Sequence, residues 1–334
     1  MAEEMMPKLT AISSHKTGIG AVLVIPCLLL GAIALSISFG TVQLSAMELW
    51  QALLKQGDPT NQTILWDLRL PRTLAALLVG SALGTAGALL QGLLRNSLAD
   101  PFLLGISAGA GLSAVALFAV GAWLSLIPMA AWIGAIATTT LVYAMAWTKA
   151  GISIPKLILS GVAVSAFFGS ISSVLLLFSD ERIQVALNWL IGSLNGRGWA
   201  EVNSVFPYVL GGLLAGCGLA QSLNILALGE EMAVSLGISL KWTKVAIGAV
   251  SALLTATAVS ISGLIGFVGL VVPHVARLMV GGDYRWVLPV SALVGGLLLV
   301  TADMVCRLGS VELPVGAVTA LLGAPFFAYL LHRQ

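Results

Sequence analysis

Charge is what this chain has least of. Asp, Glu, Lys and Arg make up 9% of its 334 residues, while 58% are hydrophobic. Soluble proteins carry about 25% charged residues. A chain this poor in charge cannot cover a water-facing surface, which excludes a soluble globular protein and predicts a membrane protein. The net charge of +2 excludes the basic surface that a nucleic-acid partner requires. Histidine and cysteine are equally thin, three of each. Cys27, Cys217 and Cys306 stand singly in apolar runs with no C-x-x-C pair, so a structural role is expected of them. His274, beside Pro273, reads as a helix-end histidine satisfied by backbone. No G-x-x-x-x-G-K-[ST] phosphate loop occurs, and no nucleophile–base or intramembrane carboxylate pair is present. The sequence therefore offers no catalytic, metal or cofactor site of its own.

Long charge-free runs are what the chain does have. A bilayer core takes about 20 apolar residues per helix. On that measure Thr17–Met47 and Thr73–Leu94 each hold a span, and Pro101–Thr148 holds two. Leu157–Ser179 and Val202–Gly229 hold one each. Val245–Ala276 is long enough for two short spans if the glycines of "ISGLIGF" break it between Gly263 and Gly266. Trp286–Ala302 and Leu313–Leu331 complete a set of ten.

An even number returns both termini to one side. With the amino terminus inside, ten Lys and Arg fall on inner segments and six on outer ones, as the positive-inside rule requires. Residues 1–16, with Lys8, are polar and precede a span too long for a signal segment, so no cleaved peptide is expected. No linker or low-complexity tract interrupts the chain, which reads as a single membrane domain over residues 1–334. The extended loops are Gly40–Arg72 and Asp180–Glu201 outside, and the segment around residues 226–240 inside.

Glycine is abundant, 37 residues, and spaced to a purpose. Gly80, Gly84, Ala88 and Gly92 recur every four residues, Gly105 and Gly109 repeat the spacing, and so do Gly212 and Gly216. Small residues in register let helix backbones approach closely in lipid. Tight packing inside the bundle and a seam between two copies both use such a face.

Three polar features remain. Asp303 lies within a span with Arg307 at i+4, a spacing at which the two neutralise each other. Intramembrane charge is otherwise nearly absent, which disfavours ion-driven transport. In "LRLPRTL", Arg69 and Arg72 flank Pro71, a residue suited to a first helical turn. Both arginines, with Arg307, are expected to face outer solvent, either anchoring lipid phosphates or docking acidic residues of a soluble partner. In "LGEEMAVSLG", Glu230 and Glu231 favour a helix start, Met232, Leu236 and Ile238 are apolar teeth, and Gly237 is a stop. That stretch reads as a solvated loop or as a short helix seated in a groove of another protein.

These blocks are similar to those of FecCD-type permeases, the membrane subunits of ABC importers for iron-siderophores, haem and cobalamin. The resemblance runs from "LRLPRTLAALLVGSALGTAGALLQGLLRN" nearly to the end, through "LADPFLLGISAGAG", "LGEEMAVSLG", "GFVGLVVPHVARL" and "LPVGAVTALLGAPFF". Ser97 and Leu264 replace prolines usual in the family, away from any candidate site.

The resemblance implies an all-α polytopic membrane protein of about ten transmembrane helices in the type II ABC importer permease fold, multi-pass in a bacterial inner membrane. It implies a second permease subunit, the same chain or a related one, a cytoplasmic ABC ATPase dimer that uses the ATP, and a periplasmic or lipid-anchored binding protein. Gly229, Glu230, Glu231, Ala233, Leu236 and Gly237 would then form the ATPase-coupling helix. Arg69, Arg72 and Arg307 would meet glutamates of the binding protein. The expected cargo is an iron(III)-siderophore-type chelate, with haem or cobalamin as alternatives.

Overall fold

The computed structural model describes residues 15–40, 42, 44–121, 124–149, 151–178, 183–309 and 311–333. The polar start around Lys8, and Arg182 of the outer segment, lie outside the described residues. The helices are α1 (His15–Ser38), α2 (Ala46–Leu53), α3 (Pro59–Thr63), α4 (Leu70–Leu94), α5 (Ile106–Ala119), α6 (Ile127–Ala146), α7 (Ile154–Leu177) and α8 (Ile183–Ile191). They continue as α9 (Trp199–Gly218), α10 (Ala220–Ala227), α11 (Glu230–Ser235), α12 (Leu240–Ser262), α13 (Val268–Val280), α14 (Tyr284–Cys306) and α15 (Val315–Arg333). A π-helical turn, Ile64–Arg69, leads directly into α4, and a two-stranded hairpin pairs Trp147–Thr148 with Gly151–Ile152.

Without water in a bilayer core, backbone N–H and C=O groups must bond within their own segment, so apolar runs become helices. Among the described residues, five helices are long and apolar enough to cross a membrane, or six if the α9–α10 pair, bent by 45°, is one span. Four shorter apolar helices accompany them. Each of the ten expected spans coincides with one of these. The split between Gly263 and Gly266 is present: α12 stops at Ser262, Gly263 takes φ 69°, and Phe267 takes φ 67° before α13 starts. The sixth span departs from expectation, ending its straight run at Gly218 and turning before α10.

α4 is the axis of the bundle, with 83% of its apolar window buried. Its small residues explain why. A Cβ added at Gly80 would lie 2.1 Å from the Gly295 carbonyl of α14, and one at Gly84 would lie 2.5 Å from the Ser291 carbonyl. One at Gly87 would lie 2.1 Å from the Gly269 carbonyl of α13. Side chains are absent where backbones touch, which is how dispersion holds helices together in lipid. The expected glycine face thus serves packing within the chain. It uses Gly87, not Ala88, for the third contact, because 3.6 residues per turn carries a four-residue repeat off the face. Ser81 Oγ donates to the Ala292 carbonyl at 2.8 Å and Ser251 Oγ to Ala86 at 3.1 Å, adding polar ties to α14 and α12. α6 and α7, with 33% and 28% of their windows buried, form the periphery.

The two long outer segments are not simple loops. Residues 40–72 hold α2, α3 and the π turn, and residues 180–201 hold α8. Ser45 and Glu48 close a capping box at the start of α2, a short-range signal that a reading for charge-free runs passes over. Likewise His274 sits midway along α13 and not at a helix end.

Candidate functional sites at the two ends of the bundle

α11 lies at the end of the bundle where α4 finishes. Gly229 takes φ 117° and Gly237 φ 83°, left-handed values that glycine adopts without strain, so the chain turns sharply at both ends of six helical residues. Gly237 N donates to the Val234 carbonyl at 2.9 Å and Ile238 N to Ala233 at 3.0 Å, the paired bonds of a Schellman stop. Ala233 is fully buried and Ile238 packs on the core, so these two seat the helix. Glu230 and Glu231 stand in the first turn, where carboxylates offset the orphan N–H groups.

The two carboxylates do different work. Glu230 Oε1 accepts from Lys244 Nζ at 2.9 Å, and that ammonium, 7% exposed, also reaches the Ile152 carbonyl at 3.4 Å. Glu231 is free on the surface. Around it Leu228, Met232, Val234 and Leu236 are exposed. Of the expected teeth, Met232 and Leu236 project outward, whereas Ile238 turns inward as the Schellman contact; Leu228 and Val234 complete the outward set. An apolar patch with a polar rim is the signature of a protein-binding surface.

The neighbouring turn is firmly built. Asn224 Nδ2 donates to Asp283 Oδ1 at 2.6 Å and Tyr284 N donates to Asn224 Oδ1 at 2.9 Å, fastening α10 to α14. Backbone bonding from Arg285 holds the Asp283 carboxyl below its usual range, with burial opposing. Gln91 donates to the Gly269 and Leu270 carbonyls at 3.2 and 3.3 Å and accepts from Arg277. Asp100, in the turn before α5, bonds Phe102 N at 2.8 Å, and burial pushes its carboxyl up to about 6 against that bond. Sequence reasoning missed these residues. Lys244 carried the one available signal, a lysine next to a long apolar run.

The arginines occupy the other end of α4, and they do not face solvent. Arg69, Arg72 and Arg307 are all buried. Arg69 donates to the Ile37 and Ser38 carbonyls at 2.8 and 2.9 Å, and to that of Val42, so it caps the end of α1. Arg72 places Nη2 and Nε 2.9 and 3.0 Å from Asp303 Oδ1, and Nη1 3.0 Å from Glu312 Oε2. Asp303 is fully buried, and its Oδ2 lies 3.2 Å from Arg307 Nε without a hydrogen bond directed at it. Arg307 Nη2 donates to Ser36 Oγ at 2.6 Å, and Ser36 meets Thr73 Oγ1 at 2.9 Å. The expected Asp303–Arg307 pair therefore forms, but as part of a network joining α1, α4 and α14. A buried guanidinium is costly unless bonded throughout, so tertiary packing draws these side chains inward to the carboxylates and carbonyls it supplies.

Comparison with known proteins decides the family. The chain matches the FecCD transport family over residues 28–333. It belongs to that family. It is 44% identical to the cobalamin import system permease BtuC of Halobacterium salinarum over 85% of this chain and 78% of that one. It is 39% identical to the Fe(3+) dicitrate transport system permease FecD of Escherichia coli, over 95% and 99% of the two chains. Among solved structures, an inward-facing ABC transporter described as metal-chelate type superposes with a TM-score of 0.87 at 30% identity, covering 95% of this chain and all of that one. The chain is accordingly an ABC-importer permease with the polytopic helical fold of its relatives.

Proposed function

We propose that residues 1–334 form one permease domain of an ABC importer that moves an iron(III)-siderophore-type chelate into the cytoplasm by ATP-driven alternating access. The observation that carries this reading is α11. It is a rigidly stopped helix, seated by Ala233 and tethered by Glu230 to Lys244, that presents Glu231, Met232, Val234 and Leu236 outward. A membrane domain without a phosphate loop must receive force from a partner, and a tethered helix transmits displacement where a mobile loop absorbs it. Gly229, Glu230, Glu231, Ala233, Leu236 and Gly237 make up this coupling element, with a cytoplasmic ATPase dimer as its partner and as the site of ATP hydrolysis. Both termini lie on the same cytoplasmic side of the bacterial inner membrane.

At the opposite face, Arg69, Arg72 and Arg307 serve docking of the periplasmic or lipid-anchored binding protein by holding the rim in shape. Their donors are bonded to Asp303, Glu312, Ser36 and the carbonyls of Ile37, Ser38 and Val42, so the partner meets the rim they organise, and the second permease subunit completes the path. The same architecture carrying cobalamin or haem is the second reading, favoured by the 44% identity to a cobalamin permease.

The test is uptake into proteoliposomes containing this subunit with its co-expressed ATPase and binding protein. Labelled ferric siderophore, haem and cobalamin are offered in parallel, with and without internal ATP. ATP-dependent uptake of the ferric chelate is expected. ATP-dependent uptake of another cargo would move the assignment to it, and uptake driven by an ion gradient without ATP would overturn the mechanism.

A further inference from the structure

A cavity of about 470 Å³ opens beneath α8, at the Arg72 end of the bundle. Its walls include Asn188 and Trp189 of α8, Ser193 and Arg197 of the following turn, and Glu312 before α15. The turn is pinned. Ser193 N donates to the Ser262 carbonyl at 2.8 Å, and Gly316 N donates to Gly192 at 3.1 Å, which ties it to the ends of α12 and α15. This wall is therefore part of the rigid bundle.

Two donors on it lack partners. Trp189 is 8% exposed, and its Nε1 has no hydrogen-bond partner; buried Arg197 Nε has none either. Such orphans are rare because a buried unmatched donor costs most of its desolvation penalty. Arg197 is also a cation with no ion-pair partner among the described residues. No carboxylate of the described residues lies within ion-pair distance, and the nearby Glu201 turns its Oε2 to Gly198 N at 2.8 Å to cap α9. Glu312, the acid in the wall, is already taken by Arg72. Burial lowers the Arg197 pKa, with Glu201 partly opposing, yet a guanidinium remains charged at any physiological pH.

We propose that this cavity is a subsite for the carboxylate or similar oxyanionic group of the transported chelate, with Arg197 as its charge partner and Asn188, Ser193 and Trp189 as further donors. The proposal rests on the importer reading and narrows it to anionic, oxygen-rich cargo. A cavity of this volume falls within the usual range of ligand sites of about 300–1,000 Å³. A guanidinium pairs with a carboxylate through two parallel bonds, giving orientation as well as charge.

The test measures equilibrium binding of radiolabelled ferric dicitrate, citrate alone and cobalamin to the assembled permease–ATPase complex in nanodiscs, without ATP or binding protein. The variants are Arg197→Gln, Arg197→Lys and Trp189→Phe. Losing a charged hydrogen bond is expected to weaken binding of citrate and its ferric complex about tenfold or more in Arg197→Gln. Arg197→Lys should recover part of the loss, Trp189→Phe should show a smaller one, and cobalamin, whose one anionic group is a phosphodiester and not a carboxylate, should lose less than citrate. Three results would overturn the site: no citrate binding by the unaltered complex, which leaves the cavity to water; equal affinities in all variants; or an Arg197 effect seen only with binding protein added, which assigns the guanidinium to docking. Because binding is read without ATP, a complex that binds citrate through Arg197 but shows no ATP-dependent uptake would count against the importer reading and not against the site.

Discussion

Replacing Asp303 with Asn tests the charge network joining α1, α4 and α14. The substitution keeps the volume and removes one negative charge from a fully buried position. It leaves Arg307 with only Ser36 and the backbone carbonyl of residue 303, and Arg72 with Glu312 as its one charged partner beside a neutral amide oxygen. Removing one partner of a buried ion pair costs about 3–5 kcal/mol, because the remaining charge stays desolvated. Arg72 retains a carboxylate, which places D303N near the lower limit, about 3 kcal/mol. Arg307→Met removes one cation from two and leaves Asp303 with Arg72, so it should cost clearly less. The double variant, with the orphaned cation gone as well, should recover about 1 kcal/mol or more relative to additivity. Reversible unfolding in mixed micelles with increasing denaturing detergent, followed by tryptophan fluorescence, reads all three. If D303N unfolds within about 0.5 kcal/mol of the unaltered protein, or the double variant is simply additive, the network does not hold these helices and its arginines are available to a partner.

Three other perturbations follow from the packing and the α11 seat. Gly80→Ala puts a methyl 2.1 Å from the Gly295 carbonyl and should destabilise by about 1–3 kcal/mol, while Gly211→Ala, with nothing within 4 Å, should be neutral or slightly stabilising; equal thermal midpoints would refute the close α4–α14 contact. Glu231→Lys should cut ATPase co-purification with little change in thermal midpoint, whereas Glu230→Lys should lower both because it sets a second cation against buried Lys244; identical behaviour of the two would remove the distinction between surface and tether. Asp100 titrates with a folded value of about 6 against an ordinary 3.8, so its share of stability is full below about 3.8 and lost as pH rises through about 6. That share is at most about 3 kcal/mol, two units at about 1.4 kcal/mol each. Asp100→Asn keeps the acceptor for Phe102 N, so its midpoint should gain on that of the unaltered protein from about pH 4 to 6.5 and exceed it by a constant margin above that; parallel curves across that range would show that Asp100 ionises freely.

Some of this was legible in the sequence because it depends on composition and on neighbours along the chain. Runs of about 20 residues without charge can only be helices in a bilayer, so the spans, and the break at Gly263–Gly266, could be read directly. The α11 element was legible for the same local reason. Two glycines able to take positive φ bracket seven residues led by carboxylates, and those are the ingredients of a short helix with a firm stop.

What the sequence could not show is which end of a long side chain finds which partner. Arg72 stands 231 residues from Asp303 and 240 from Glu312, and nothing near "LRLPRTL" announces that two carboxylates await it. Exposure was the natural expectation for arginines at a span end, since a free guanidinium belongs in water. Only the close α4–α14 approach, permitted by Gly80 meeting Gly295, carries Asp303 to Arg72 and inverts that expectation. The Lys244–Glu230 tether and the cavity under α8 have the same origin. Local sequence determined the helices, their breaks and the charges at their ends, because those follow from solvation and backbone geometry. The tertiary structure alone decided which charges are satisfied inside and which are left to meet a partner, because that depends on distances between segments far apart in the chain.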